Sequence, residues 1–228
     1  MMPYGMFFDP TMIILLPAII FTMYAQSKVK STFMKYLKVG TKKGYRGYEV
    51  ARAILDNNGL RDVPIEMSRG HLSDHYDPRK RVLRLSREVY EGTSIASVSV
   101  AAHEVGHAIQ HADGYSPLTI RNAIFPVARF GSSAAWFFII AGFFIHPDLF
   151  DIGILLFGAA VLFQVVTLPV EFNASSRAIE LLGSNGFIVS EEQRPAKRVL
   201  NAAALTYVAA MAAAVSQLIR LLLIRNRR

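Results

Sequence analysis

Cysteine is absent from the 228 residues. Disulfides and thiolate metal ligands are therefore excluded, and any bound metal must rest on His, Asp or Glu. The lack of disulfides also suits a reducing compartment. Charge is scarce, at 18% of residues, whereas apolar residues reach 52%, a balance that points away from an ordinary soluble protein. The chain has no internal repeat, low-complexity tract or nucleotide-binding glycine motif. Its net charge of +8 is not read as a nucleic-acid signal. The basic residues cluster beside hydrophobic runs, which is the pattern of a cytoplasmic membrane border.

Four apolar runs are present, at residues 7–25, 127–145, 152–170 and 202–224. The first is long enough to span a bilayer. No lysine or arginine precedes it, which argues against a cleaved signal peptide. The second and third are separated by HPDLFD (146–151), a short loop with no lysine or arginine, and together they read as a transmembrane hairpin. The fourth is alanine-rich and carries Arg220, so it either spans or lies along the membrane face. Directly after the first run come Lys28, Lys30, Lys35, Lys38, Lys42, Lys43, Arg46 and Arg52, with Glu49 the single acid among them. Lysine and arginine collect on the cytoplasmic side, so this stretch is expected in the cytoplasm and the N-terminus outside. The expected organisation is an N-terminal transmembrane helix (1–25), a cytoplasmic catalytic region (26–118), a transmembrane hairpin (119–170), a cytoplasmic segment (171–201) and a C-terminal membrane helix with a basic tail (202–228).

In the polar region the periodicity predicts a helix over residues 48–58, ended by Gly59, and short strands at 62–67 and 81–85 with a loop between them. A second helix is expected from 94 to 113, capped by Thr93 or Ser94 and stopped by Gly114 and Pro117. It carries VAAHEVGHAIQH (100–111). His103 and His107 are one helical turn apart and project the same way, so two imidazoles can hold one zinc ion. Glu104, beside the first histidine, can handle the protons of a zinc-activated water without ligating the metal. Gly106 costs about 1 kcal/mol in mid-helix relative to alanine, which makes sense if another backbone packs there.

A third ligand has two candidates. Asp113 occupies the position that a metzincin-like motif would use, but Gln110 replaces the glycine needed for the turn, so the helix would carry Asp113 past the metal. Glu171 follows the hairpin, and two crossings separate it from the histidines, so all three share a membrane face. A carboxylate beside a bilayer is costly unless paired, and Pro169 is expected to disturb the helix end just before it. His111 drifts off the metal face. His71, His75, Tyr76 and Arg177 are candidates for stabilising an oxyanion, each with an ordinary structural role as the alternative. Trp136 and the hairpin phenylalanines read as lipid-facing packing.

VAAHEVGHAIQH, the upstream LSDHYDPRKRVLRLS and the downstream PVEFNASSRAIELL resemble the bacterial YugP-type membrane zinc metallopeptidases, over nearly the whole chain. The resemblance implies a gluzincin-like site with His103, His107 and Glu171 as ligands and Glu104 as catalytic base. It extends more distantly to the HtpX and CAAX-prenyl peptidases, whose Glu-x-x-Ala-Asp pattern reads here Glu171-Phe-Asn-Ala174-Ser175. With serine in place of that aspartate, Ser175, Asn173 or another residue must take the far nitrogen of a zinc histidine.

The expected fold class is mainly α: an integral membrane protein with about four transmembrane helices and a small cytoplasmic α+β zincin-like domain. The expected activity is zinc endopeptidase action at the cytoplasmic face of the plasma membrane, with one zinc per chain and substrate added as a strand along residues 81–85. Expected partners are a peptide or membrane-protein substrate, the lipid bilayer and a regulatory membrane protein, but not nucleic acid. The competing classes are an intramembrane-cleaving metalloprotease and a non-catalytic zinc-binding scaffold or sensor.

Overall fold

The structure is a computed structural model and describes residues 10–227. The protein is mainly helical with one small sheet. A 3-10 turn (Pro10–Ile14) leads into α1 (Leu15–Leu37), followed by α2 (Gly47–Asn57), β1 (Ile65–Ser68), β2 (His75–Asp77), β3 (Val82–Ser86) and α3 (Arg87–Tyr90). After these come α4 (Ile95–Ala112), α5 (Ser116–Phe144), α6 (Pro147–Ser184) and α7 (Ser190–Asn226). Among the described residues, four helices are long and apolar enough to cross a membrane: Pro10–Leu37, Ser116–Phe144, Pro147–Ser184 and Ser190–Asn226. Part of the first apolar run, residues 7–9, lies outside the described residues.

The chain forms two compact units. One comprises the residues up to Gln26, Ile120–Leu168 and Thr206 onward. Its large side chains face outward: Phe137, Phe144, Ile145 and Leu155 are all more than two-thirds exposed. An apolar surface of that extent is stable against lipid and not against water. Inside this unit Arg225 grips Asp151 through Nε (2.6 Å) and Nη2 (2.9 Å). That contact sets the end of α7 beside the first turn of α6. Arg220 Nε donates to Thr11 Oγ1 at 3.2 Å, which brings the start of the first apolar helix to the same end. The end of the last helix is therefore held at the hairpin turn through Arg225.

The other unit, Ser27–Thr119 with Pro169–Leu205, has a core of its own. Val50, Ile54 and Leu55 of α2, Leu83 and Leu85 of β3, Val98 and Val105 of α4, Leu182 of α6 and Leu200 of α7 are all buried in one cluster. Each contributes about 1.5–3 kcal/mol relative to exposure. Ser94 caps α4 by accepting from the Ser97 N–H, and Gly59, at φ +74°, ends the α2 segment in a backbone conformation that suits glycine.

The sheet order is β1-β3-β2, with β1 parallel and β2 antiparallel to β3. Three expectations change here. The segment expected as a loop between two strands contains β2, too short and polar for alternation to reveal it. β3, expected to offer residues 81–85 as an open edge, is paired on both sides and cannot accept a substrate strand. The free edges belong to β1 and β2. Finally, α6 runs unbroken through Pro169. Proline removes one ladder bond, which the turns on either side of a long apolar helix tolerate, so Glu171 sits within the helix and not at its end.

Candidate metal centre

The site is assembled where α4 meets α6. A Cβ on Gly106 would stand 3.0 Å from the Ala174 carbonyl oxygen and 3.3 Å from Ala174 Cα. The absence of a side chain at 106 is what lets the two helices approach. At this separation a short glutamate on α6 reaches the imidazoles of α4. His103 Nε2 lies 3.3 Å and His107 Nε2 3.5 Å from Glu171 Oε2, and the three donor atoms lie within 4.8 Å of one another. Ligand atoms about 2.0–2.2 Å from a tetrahedral zinc sit roughly 3.3 Å apart. The two nitrogen–oxygen separations match that spacing, and the donor set suits zinc. Glu171 is 3% exposed, a burial that a carboxylate tolerates only among positive partners.

The far nitrogens of both imidazoles are occupied. His103 Nδ1 and Ser175 Oγ are hydrogen-bonded at 3.2 Å. Gln110 donates through Nε2, so its Oε1 accepts, and His107 Nδ1 donates to it at 3.0 Å. Gln110 is fully buried and its amide is used on both sides: Nε2 donates to the Val170 carbonyl and to Asn173 Oδ1, each at 2.9 Å. Asn173 Oδ1 also accepts from Arg177 Nε at 3.0 Å, and Arg177 Nη1 meets Asp113 Oδ2 at 2.7 Å. A continuous chain of hydrogen bonds thus orients His107. Of the residues considered for the far nitrogens, Ser175 takes one directly and Asn173 acts one step removed. Gln110 was missed as a partner. Its signal was present: a long polar side chain on the buried face of α4, three residues after a histidine.

Glu104 is buried beside β2 and accepts the backbone N–H of Tyr76 at 3.0 Å. Burial pushes the His107 imidazole down, but the Glu171 carboxylate, aided by Glu104, outweighs it and holds the ring above its ordinary value. This cluster therefore attracts positive charge. Asp74 lies nearby, with Ser86 N–H donating to Oδ1 at 2.7 Å and the Ser86 hydroxyl at 3.0 Å. Its burial pushes the carboxyl up despite those bonds.

The remaining candidates lie apart from the donor cluster. Asp113 follows the end of α4 and pairs with Arg177. His111 Nδ1 is hydrogen-bonded to the Tyr76 hydroxyl at 2.9 Å. His71 pairs with Glu88 and His75 with the Ser73 carbonyl, both in exposed positions. Arg177 and Tyr76 are thus already committed to other partners, and Trp136 is exposed on α5.

A family model described as "Putative neutral zinc metallopeptidase" matches residues 11–226. The chain is 52% identical over 204 residues to the "Putative membrane protease YugP" of Bacillus subtilis (strain 168), a match that covers 89% of this chain and 91% of that relative. No solved structure matches it.

Proposed function

The chain belongs to the neutral zinc metallopeptidase family that matches it, and from that premise we propose that it is a plasma-membrane endopeptidase working at the cytoplasmic face. The observation that carries this reading is the meeting of His103, His107 and Glu171 with Glu104 one residue along the same helix. His103, His107 and Glu171 would hold a zinc ion, which would supply Lewis acidity toward a scissile carbonyl and toward water. Glu104 would take a proton from that water and deliver it to the leaving amine. Ser175 and Gln110 hold the imidazoles in the tautomer and orientation that ligation needs. A peptide strand that adds at the outer edge of β2 would meet the Tyr76 N–H where Glu104 now accepts it, so it would run beside the catalytic carboxylate.

Orientation follows from charge. The basic stretch after the first apolar run is cytoplasmic, and the hairpin turn and the end of α7, joined through Arg225 and Asp151, are exterior. Two features weigh against cleavage inside the membrane: α4 is not one of the four apolar helices, and it contributes to the core of the polar unit.

The test is Glu104→Gln in the full-length protein. The variant is expected to insert and to bind zinc as the wild type does, while cleavage of a casein or membrane-protein substrate falls by at least about 10²-fold. Glu171→Ala is expected to lose the metal. Wild-type cleavage by the Gln variant would sink the mechanism, and loss of zinc in Asp113→Ala but not in Glu171→Ala would move the third ligand.

A further inference from the structure

Between the basic stretch of α1 and the early turns of α7 lies a cavity of about 690 Å³, separate from the metal centre. Lys28, Thr32 and Lys35 line it from one stripe of α1, at i, i+4 and i+7. Arg198 and Asn201 line it from a stripe of α7, and Ala202 and Leu205 continue that stripe with an apolar surface. Arg198 Nη1 donates to the Tyr36 hydroxyl at 3.3 Å, and Lys35 Nζ lies 5.6 Å from the centre of the Tyr36 ring.

No carboxylate lines the cavity. Among the described residues, Lys28, Lys35 and Arg198 form no ion pair, so three cations face one space that offers them no counter-charge. Three cations around one space repel one another, and a bound anion relieves that repulsion. The direction of the two helices adds a second constraint. Along α1 the side chains before Lys28 are exposed and apolar, among them Ile19, Ile20, Met23 and Tyr24. Lys28 follows the apolar stretch of α1 directly, and along α7 the lining passes from Arg198 and Asn201 to Ala202 and Leu205. The cavity is thus amphipathic, with cations from both helices and an apolar surface at Leu205.

We propose that this cavity binds the phosphodiester headgroup of an anionic phospholipid of the cytoplasmic leaflet. The phosphate sits among Lys28, Lys35 and Arg198, and the glycerol and acyl chains leave past Leu205. The hydroxyl of Thr32 and the amide of Asn201 are the neutral donors within reach of the headgroup. Zwitterionic lipids gain less, because their ammonium group finds no acid in the cavity. The proposal rests on α1 and α7 crossing the bilayer but not on peptidase activity, and its readout involves no cleavage.

The experiment is lipid titration of the purified full-length protein, followed by native mass spectrometry, with phosphatidylglycerol against phosphatidylcholine. The wild type is expected to prefer phosphatidylglycerol. Lys35→Gln with Arg198→Gln is expected to weaken that binding more than tenfold, at about fivefold for each cation near the surface, and to leave phosphatidylcholine unaffected. Arg79→Gln with Lys80→Gln removes the same charge from the turn before β3 and is expected to change nothing. Asn201→Asp, which adds a carboxylate at the cavity without truncating the helix, is expected to reproduce the loss. Circular dichroism indistinguishable from the wild type verifies the fold of each variant. Unchanged phosphatidylglycerol affinity in the cavity variants overturns the proposal. An equal loss in the Arg79/Lys80 pair overturns it too, since the attraction is then diffuse. Full displacement of the lipid by inorganic phosphate reassigns the site to a soluble phosphate and also overturns it.

Discussion

At the scale of single residues, the neighbours of the ligands are as informative as the ligands. Gln110 holds the Nδ1 proton of His107 while donating both to the Val170 carbonyl and to Asn173. Truncating it frees the ring to rotate. Gln110→Ala is therefore expected to weaken zinc binding by about 10–100-fold, the range found for partners of metal-bound histidines. Ser175→Ala, which removes one longer bond, is expected near the lower end. Competition against a chromophoric chelator checks both, and wild-type affinity in Gln110→Ala would show that packing alone orients His107. Asp74 offers a test of electrostatics. Its carboxyl is held above the ordinary value of 3.8 by burial, so the folded chain binds that proton more tightly than the unfolded chain. Its contribution to stability thus falls as pH rises through 3.8 and up to the raised value. Asp74→Asn removes that slope and keeps an acceptor for the Ser86 N–H, and its stability at neutral pH is expected to equal or exceed that of the wild type. Asp74→Ala strands the buried N–H at a cost of about 1–3 kcal/mol. Unfolding followed across pH for the three proteins distinguishes these outcomes.

At the scale of elements, the contact between α4 and α6 decides whether there is a site at all. Gly106 stands against the Ala174 backbone with no room for a branched side chain. Gly106→Ala recovers about 1 kcal/mol of helix propensity and loses part of it to the 3.0 Å approach to the Ala174 carbonyl, so it is expected to be near neutral. Gly106→Val forces the helices apart, with an expected loss of about 1–3 kcal/mol from overpacking together with weakened zinc binding. Thermal unfolding and metal content, measured on the same samples, check this. A valine variant with wild-type stability and full metal would mean that the two helices can separate without disturbing the donors. The same contact explains why Pro169 does not end α6: a break there would carry Glu171 away from His103 and His107.

At the scale of the whole molecule, the absence of cysteine makes topology directly measurable. Lys43→Cys, Asp148→Cys and Arg227→Cys can each be probed on intact cells with a membrane-impermeant thiol reagent. Labelling is expected at 148 and 227 and not at 43. Arg225 and Asp151 share one end of the apolar unit, so 148 and 227 are expected to label together. Labelling at 43 alone would invert the orientation, and labelling at 148 without 227 would contradict the full crossing by α7. The tail Arg225-Asn-Arg-Arg runs against the usual lysine and arginine asymmetry, yet Arg225 is neutralised by Asp151, which lowers the cost of an exterior arginine.

Much of this protein was legible in sequence because the relevant signals are local. The apolar runs report helices able to cross a membrane, since hydrocarbon leaves few alternatives for the backbone. The four-residue spacing of His103 and His107 reports a shared helix face, since 3.6 residues make a turn. Zero cysteines exclude thiolate donors. What had to await the tertiary structure depends on contacts distant in sequence. β2 has no periodic pattern and exists because β3 pairs with it. The apparent edge at residues 81–85 became the sheet centre for the same reason. Gln110 became a partner of His107 only once α6 presented Val170 and Asn173 to its amide. The end of α7 was an ambiguous string of alanines and arginines, and only the folded chain brings Arg225 to Asp151 at the hairpin turn. The distinction is physical: periodicity within one element is set by backbone geometry, whereas pairing between elements is set by which surfaces fit, and only the packed chain makes that selection.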